Sequence, residues 1–251
     1  MTESYTVADN LPRVERNTLA DVVYSEIKEL ILSGLIAPGE RLTLRRLAAA
    51  VGTSPMPVRD AVSRLVAEKA LEMLPNRSIQ VSWPSRERFE EIIAIRCTVE
   101  GLAAEAACRR RTEAELAEIK REAEMFETFA HGATPDPMEA MRANRRMHFA
   151  IYRAAGMPTL LQIIEALWLQ VGPVFWASVG GEIRAHAAGK SPSHTSEMLD
   201  TTYRSHAALV DAIEARDGQR ARQAVIDDVE KAAVMIVRSG RLNDAEGWVP
   251  R

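Results

Sequence analysis

Four side chains able to ligate a metal ion stand in segments of helical periodicity. Asn144 and His148 are four apart, so both project from one face of a helix. His206 opens a later amphipathic stretch, and Asp228 follows 22 residues on, in the last long one. If these stretches bundle, two imidazoles, an amide oxygen and a carboxylate converge. Such a mixed nitrogen and oxygen set suits zinc, nickel or manganese better than a thiolate-seeking metal. The plainer alternative stays open: helical histidines are commonly surface or hydrogen-bonded core residues, and Asn144 could line a polar pocket without metal. His186 and His194 fall in a segment rich in Gly, Ala and Ser, where they are solvated or serve as replacement ligands.

A second set is cationic. Ser54 and Arg59 stand near the start of a short apolar-periodic segment, with Arg64 one to two turns later. A helix entering the major groove must offer donors to base edges from its first turns, and arginine can pair bidentately with guanine. Arg59 is therefore the first candidate for base readout. Arg45 and Arg46, at the start of the preceding segment, suit phosphates, and Asn76 and Arg77 sit where a hairpin tip could reach the backbone or minor groove. Taken alone these arginines could equally form a solvated face. Arg96 and Glu100, four apart, could be an ordinary intrahelical pair. Trp168, Phe175 and Trp176 share one apolar stretch and are expected in the core or at a subunit contact, with one of them a candidate pocket wall.

The elements that must carry these residues follow from periodicity. Leu19, Val22, Val23, Ile27, Leu30 and Ile31 give one helical face between Thr18, an N-cap, and Gly34, a stop. A short helix from Leu44 to Val51 is capped by Thr43. After Gly52 a third begins, with Ser54 as N-cap and Pro55 at its first position. Leu71–Leu74 and Ile79–Val81 flank Pro75-Asn76-Arg77-Ser78 and read as a small hairpin. Helix, turn, helix, hairpin is the outline of a winged helix-turn-helix. Beyond Arg86 the periodicity is helical: roughly 86–111, 113–131, 137–155, 158–178, 196–215 and 217–239, with loops at 132–137 and 178–193, the second a candidate lid. The expected organisation is a tail over 1–14, a DNA-binding domain over 15–82, a linker at 83–86, an all-α bundle over 87–240 and a tail over 241–251. The fold class is mostly α.

Composition agrees. The 251 residues are 47% hydrophobic and 5% aromatic, ample for packed cores. Residues 13–88 hold 12 Lys and Arg against 9 Asp and Glu, so a net charge of −3 conceals a basic first third. Cys97 and Cys108, eleven apart in one helix, cannot bridge. No signal-peptide pattern opens the chain and no stretch of about 18 apolar residues is apparent, so a cytoplasmic protein without a membrane span is expected. No Ser-His-Asp set or glycine-rich phosphate loop is found, and no enzyme is expected.

Pro38-Gly39, Leu47-Ala48-Ala49-Ala50-Val51-Gly52 and Ser54-Pro55-Met56-Pro57-Val58-Arg59-Asp60-Ala61-Val62, continuing through Leu74-Pro75-Asn76-Arg77, resemble the winged-helix regulators of the GntR class. The resemblance implies DNA contacts from Arg45, Ser54, Met56, Pro57, Arg59 and Arg77. Three positions depart: Pro55 where the family has a DNA-contacting arginine, Lys69 where a glycine ends the recognition helix, and Ser78 at the wing-tip glycine, which predicts a less sharply bent tip. Downstream, Asn144-Arg145-Arg146-Met147-His148, Ser205-His206 and Ala212-Ile213 through Asp217 and Ala221 are similar to the FCD ligand-binding domain of one GntR branch. That family holds metal with one acid and three histidines. Here Asn144 replaces the acid and Asp228 a histidine, which keeps the ligand charge while moving it. The resemblance implies a homodimeric repressor or activator on a pseudo-palindromic double-stranded operator, controlled by a small organic acid. Effector-binding candidates are Arg96, His148 and His206, and metal candidates Asn144, His148, His206 and Asp228. The rivals are a helical domain that only dimerises, with a structural metal or none, and a metal-dependent hydrolase.

Overall fold

An apolar stripe and its caps account for the first helix. The computed structural model describes residues 18–36, 38–131, 136–187, 194–240 and 242. Helix α1 (Leu19–Leu32) buries Val23, Ile27 and Ile31, and starts at a capping box in which Thr18 Oγ1 accepts from Asp21 N–H while the Asp21 carboxylate accepts from Thr18 N–H. It stops at Gly34, whose φ of +68° is left-handed. Helix α3 (Pro55–Ala67) packs on α1, and helix α2 (Leu44–Ala50), capped by Thr43, packs on α3; Leu47, Ala48, Val58, Ala61, Val62 and Leu65 are their buried residues. Each such large apolar side chain contributes about 1.5–3 kcal/mol on burial.

The hairpin is joined by a strand too short to be seen in the sequence pattern. Strands β1 (Arg41–Leu42), β2 (Leu71–Met73) and β3 (Ile79–Val81) form an antiparallel sheet in the order β1-β3-β2, with Leu42 opposite Ile79 and Leu71 opposite Val81. The tip also differs from expectation. Ser78 does not open it: Arg77 takes the left-handed conformation at φ +62°, Leu74 N–H donates to Ser78 O at 2.9 Å, and Asn76 Oδ1 accepts from Ser78 N–H and O–H. The Ser78 hydroxyl adds a bond to Asn76 Oδ1 that a glycine at 78 could not make.

Six helices follow: α4 (Arg86–Arg110), α5 (Glu113–His131), α6 (Pro137–Ala154), α7 (Pro158–Ala187), α8 (His194–Glu214) and α9 (Gly218–Arg238). α4 lies against α9, α6 and α7; α5 lies against α6 and α8. The loop expected over 178–193 is corrected: α7 is helical to Ala187 and His194 begins α8, while 188–193 lie outside the described residues. The helix of α7 simply continues through the Gly180-Gly181 pair. A second correction concerns the same helix. Pro158–Ser178 is long and apolar enough to cross a membrane by length and composition, with mean hydropathy 1.4. Half of that stretch is buried inside the protein, where α7 packs on α1, α4, α6 and α9, so its apolarity belongs to a central core helix.

α7 also joins the two parts of the chain. Trp176 Nε1–H donates to the Leu32 carbonyl at 2.8 Å and its ring lies so close to Gly34 that a Cβ there would sit 2.6 Å from it. Lys28 pairs with Glu165 at 2.7 Å, and Arg145 grips Glu29 through two nitrogens at 3.0 and 2.6 Å. The carbonyls at the end of α1 are thus satisfied partly by the helical bundle.

Candidate functional sites

Several cationic side chains between residues 41 and 77 are exposed. Arg45 and Arg46 leave the first turn of α2, Met56 and Arg59 leave the first turns of α3, and Arg77 stands on the hairpin tip; all five are exposed, and Pro57 is half-buried. Ser54 occupies the N-cap of α3 but its side chain makes no capping bond, so its exposed hydroxyl is not spent on the helix. Met56 is 68% exposed, an unusual position for a large apolar side chain. Arg64 belongs elsewhere: it pairs with Asp21 at 2.7 Å and lies 4.0 Å from the centre of the Tyr24 ring, while Tyr24 O–H bonds Glu68. These ties lock α3 to α1.

The second site is a cavity inside the helical bundle. It is lined by Arg96 of α4, Phe126 of α5, Met141, Asn144 and His148 of α6, Trp168, Val171, Gly172 and Phe175 of α7, Thr202 of α8, and Asp228, Val229, Ala232 and Met235 of α9. The centres of water-sized atoms have about 50 Å³ there. One water needs ~10–15 Å³ by the same measure, so a molecule of a few heavy atoms fits. The walls are mainly apolar, and Arg96, His148 and Asp228 bring ionisable groups to them.

Those polar groups form a connected chain. His148 Nε2 is 3.2 Å from Asp228 Oδ2, and His206 Nε2 is 3.7 Å from Asp228 Oδ1. One donor atom from each of these three residues lies within 4.8 Å of the other two. Burial pushes the His206 imidazole pKa down to about 4, with Asp228 opposing and His148 reinforcing the shift. Burial would raise the Asp228 carboxyl, but the His148 hydrogen bond and the nearby His206, His148 and Arg96 outweigh it and hold the carboxyl below its ordinary value. Behind His148, its Nδ1 is 3.2 Å from Tyr152 Oη, and Tyr152 O–H donates to Glu100. Glu100, fully buried, also accepts Trp168 Nε1–H at 3.0 Å and the Arg96 guanidinium at 2.5 and 3.3 Å. Arg96 lies over the Trp168 ring, 4.7 Å from its centre.

The residues fit a divalent cation on one observation in particular. Both ring nitrogens of His206 are buried and have no hydrogen-bond partner among the described residues. A buried polar atom without a partner costs about 1–3 kcal/mol, and a cation beside Asp228 would supply one. Asn144, 7% exposed and on the same face of α6 as His148, lines the same cavity.

Of the four residues that sequence reasoning groups, Asn144, His148 and Asp228 line the cavity, and His206 clusters with His148 and Asp228, its ring centre 5.4 Å from that of His148, whereas Asn144 is not one of that cluster. Arg96 faces that cavity as well, yet Glu100 takes two of its N–H groups, so the two readings of this pair coexist. His186 and His194 begin or belong to helices, and their side chains lie outside the described residues. Of the aromatic trio, Trp168 and Phe175 line the cavity and Trp176 faces α1. Glu100 as the hub and Tyr152 as its bridge to His148 went unnoticed in the sequence. The signal for Tyr152 was present: it continues the four-residue spacing of Asn144 and His148.

Comparison with known proteins follows this division. Residues 19–81 match the family described as bacterial regulatory proteins, gntR family, and residues 91–231 match the FCD domain. The HTH-type transcriptional regulator McbR of Escherichia coli (strain K12) is 32% identical over 169 residues, 65% of this chain and 75% of that protein. A relative from Paenarthrobacter nicotinovorans, described as a "Probable D-xylose utilization operon transcriptional repressor", is 29% identical over 217 residues, covering 86% of this chain and 88% of its own. Among solved structures, E. coli McbR/YncC superposes with a TM-score of 0.74 at 26% identity, over 89% of this chain and 99% of that one.

Proposed function

The chain belongs to the GntR family of DNA-binding transcriptional regulators, with an FCD domain behind its reading head, and from that premise we propose that it is a cytoplasmic homodimeric repressor whose operator affinity is set by a small organic acid in the bundle cavity. The observation that carries this reading is the cavity itself: mainly apolar walls that include Asn144, His148 and Asp228, with His206 clustered against the last two. Those four would hold zinc, nickel or manganese, and the ion when bound would supply a positive centre for an effector carboxylate. Arg96, steadied by Glu100 and Trp168, would offer its remaining N–H groups to the same acid, while Phe126, Met141, Val171 and Phe175 enclose its apolar part.

In the reading head, Arg59 would reach a base edge, with Met56 and Pro57 packing beside it. Arg45, Arg46 and Ser54 would contact phosphates, and Arg77 the backbone or minor groove beyond the wing. Two heads related by a two-fold axis would read a pseudo-palindrome. Effector binding would release DNA through a coupling of about 1–3 kcal/mol. The family and its named relatives are regulators, and no turnover at the cavity is proposed.

Two measurements test the reading. Metal content of the purified protein by mass spectrometry should give one ion per chain, absent in His148→Ala; an empty wild type would remove the metal from the proposal. Arg59→Ala should cost about 1–3 kcal/mol of operator affinity in fluorescence anisotropy, with discrimination lost at one base pair. Unchanged affinity and selectivity in a folded variant would discard Arg59 as the base reader.

A further inference from the structure

The hydrogen bonds behind His148 fix where one proton of its ring must sit. Glu100 is bridged by the Arg96 guanidinium and accepts the Trp168 N–H, so it is an acceptor with no proton to give. The single O–H proton of Tyr152 goes to Glu100. The tyrosine oxygen facing His148 Nδ1 at 3.2 Å can then only accept, and the proton in that contact must sit on Nδ1. A neutral ring protonated at Nδ1 carries its lone pair on Nε2, the atom that stands 3.2 Å from an Asp228 oxygen. With Nε2 bare, two acceptors face each other and a cation beside both relieves their repulsion; with Nε2 protonated as well, the ring is an imidazolium that donates to Asp228, and a cation would take the place of that proton.

We infer that Glu100, acting through Tyr152, positions His148 as a ligand by holding a proton on Nδ1 and turning Nε2 toward Asp228 as the ring's ligating nitrogen. Glu100 and Tyr152 are positioning residues: neither touches the cation. The inference rests on the proposed metal site and adds to it the cause of the ring's tautomer and orientation, since outer hydrogen-bond partners of this kind govern ligand geometry. All three residues are buried, with Glu100 and Tyr152 essentially without solvent exposure, so water cannot substitute for the relay.

The test reads the two nitrogens of His148 by long-range proton–nitrogen correlation in the histidine-labelled full-length protein, metal-free and with one equivalent of zinc, beside zinc affinity from competition with a chromophoric chelator. Nδ1 should carry a proton in both states, with zinc on Nε2. Tyr152→Phe should lower zinc affinity about 10–100-fold and move the proton of the metal-free ring to Nε2, where Asp228 accepts it. A wild-type ring unprotonated at Nδ1 overturns the inference, and so does a folded Tyr152→Phe variant with unchanged tautomer and zinc affinity. If the wild type binds no zinc, the metal reading fails on its own. The metal-free spectrum still decides the relay, and it does so from the wild type alone should the variant not fold.

Discussion

The reading head and the bundle cavity handle charge in opposite ways. In the head the core is apolar throughout: Val58, Ala61, Val62 and Leu65 have no solvent exposure, while Arg45, Arg46, Arg59 and Arg77 stand outside it. In the bundle Glu100, His148 and His206 lie inside, and each is held by, or lacks, a specific partner. Exposed arginines are solvated before they meet DNA, so they are cheap to keep and individually replaceable. Buried ionisable groups have given up water, and their free energy depends on a complete set of partners. A surface that must scan many sequences suits the first arrangement. The effector cavity proposed above would be served by the second, because one missing partner is felt strongly.

The largest test of this contrast removes a buried partner. Glu100→Ala strands the Arg96 guanidinium and the Tyr152 hydroxyl, and should cost about 3–5 kcal/mol in urea unfolding. Breaking the exposed Arg64–Asp21 pair of the head by Asp21→Asn should cost only a small fraction of that, since both partners keep their water. Equal costs would erase the distinction.

Acid offers the next test. His206 is held at about 4 in the fold against an ordinary 6.5. Between those values the unfolded chain binds the extra proton and the folded one does not, so stability rises with pH across that window and is lost as pH falls through it. Metal-free protein should lose about 3 kcal/mol between pH 6.5 and 4, and His206→Gln should flatten most of that slope in denaturation curves at each pH. The lowered Asp228 adds a loss only below its ordinary value of 3.8, as its carboxylate takes up a proton. A wild-type slope that survives in His206→Gln would place the acid sensitivity elsewhere.

The smallest effect belongs to the head. Lys69, just past the end of α3, lies in the left-handed region at φ +62°, with its side chain exposed. Lys69→Gly should relieve that strain, partly offset by the greater freedom of glycine when unfolded, for a net gain of about 0.5–1 kcal/mol at constant m value. A loss of stability would mean that Lys69 makes a contact worth more than its backbone strain.

Much of this was legible in the residues. Thr18, Gly34, Thr43 and Pro55 mark helix ends by chemistry that acts within a few residues, and the apolar spacing of α1 and α3 reports their buried faces directly. Asn144 and His148 share a face because the helix repeat requires it. Strand β1 was not legible, since a two-residue strand has no period and exists only because β3 offers an edge to pair with. The end of α7 was missed because small and polar residues there resemble a loop, while continuation of a helix is cooperative along the chain.

The sequence by itself determined the order of elements, the cationic character of the first third and which residue types could ligate, because these depend on interactions between near neighbours in the chain. Only the tertiary structure decided that Glu100 serves Tyr152 as well as Arg96, and through Tyr152 reaches His148. It alone decided that His206 faces Asp228, and that Trp176 seats on the end of α1. Those contacts join residues tens to more than a hundred positions apart. Their partners are selected by how whole helices pack, and a pattern read along one helix carries no information about the side chains that another will bring to it.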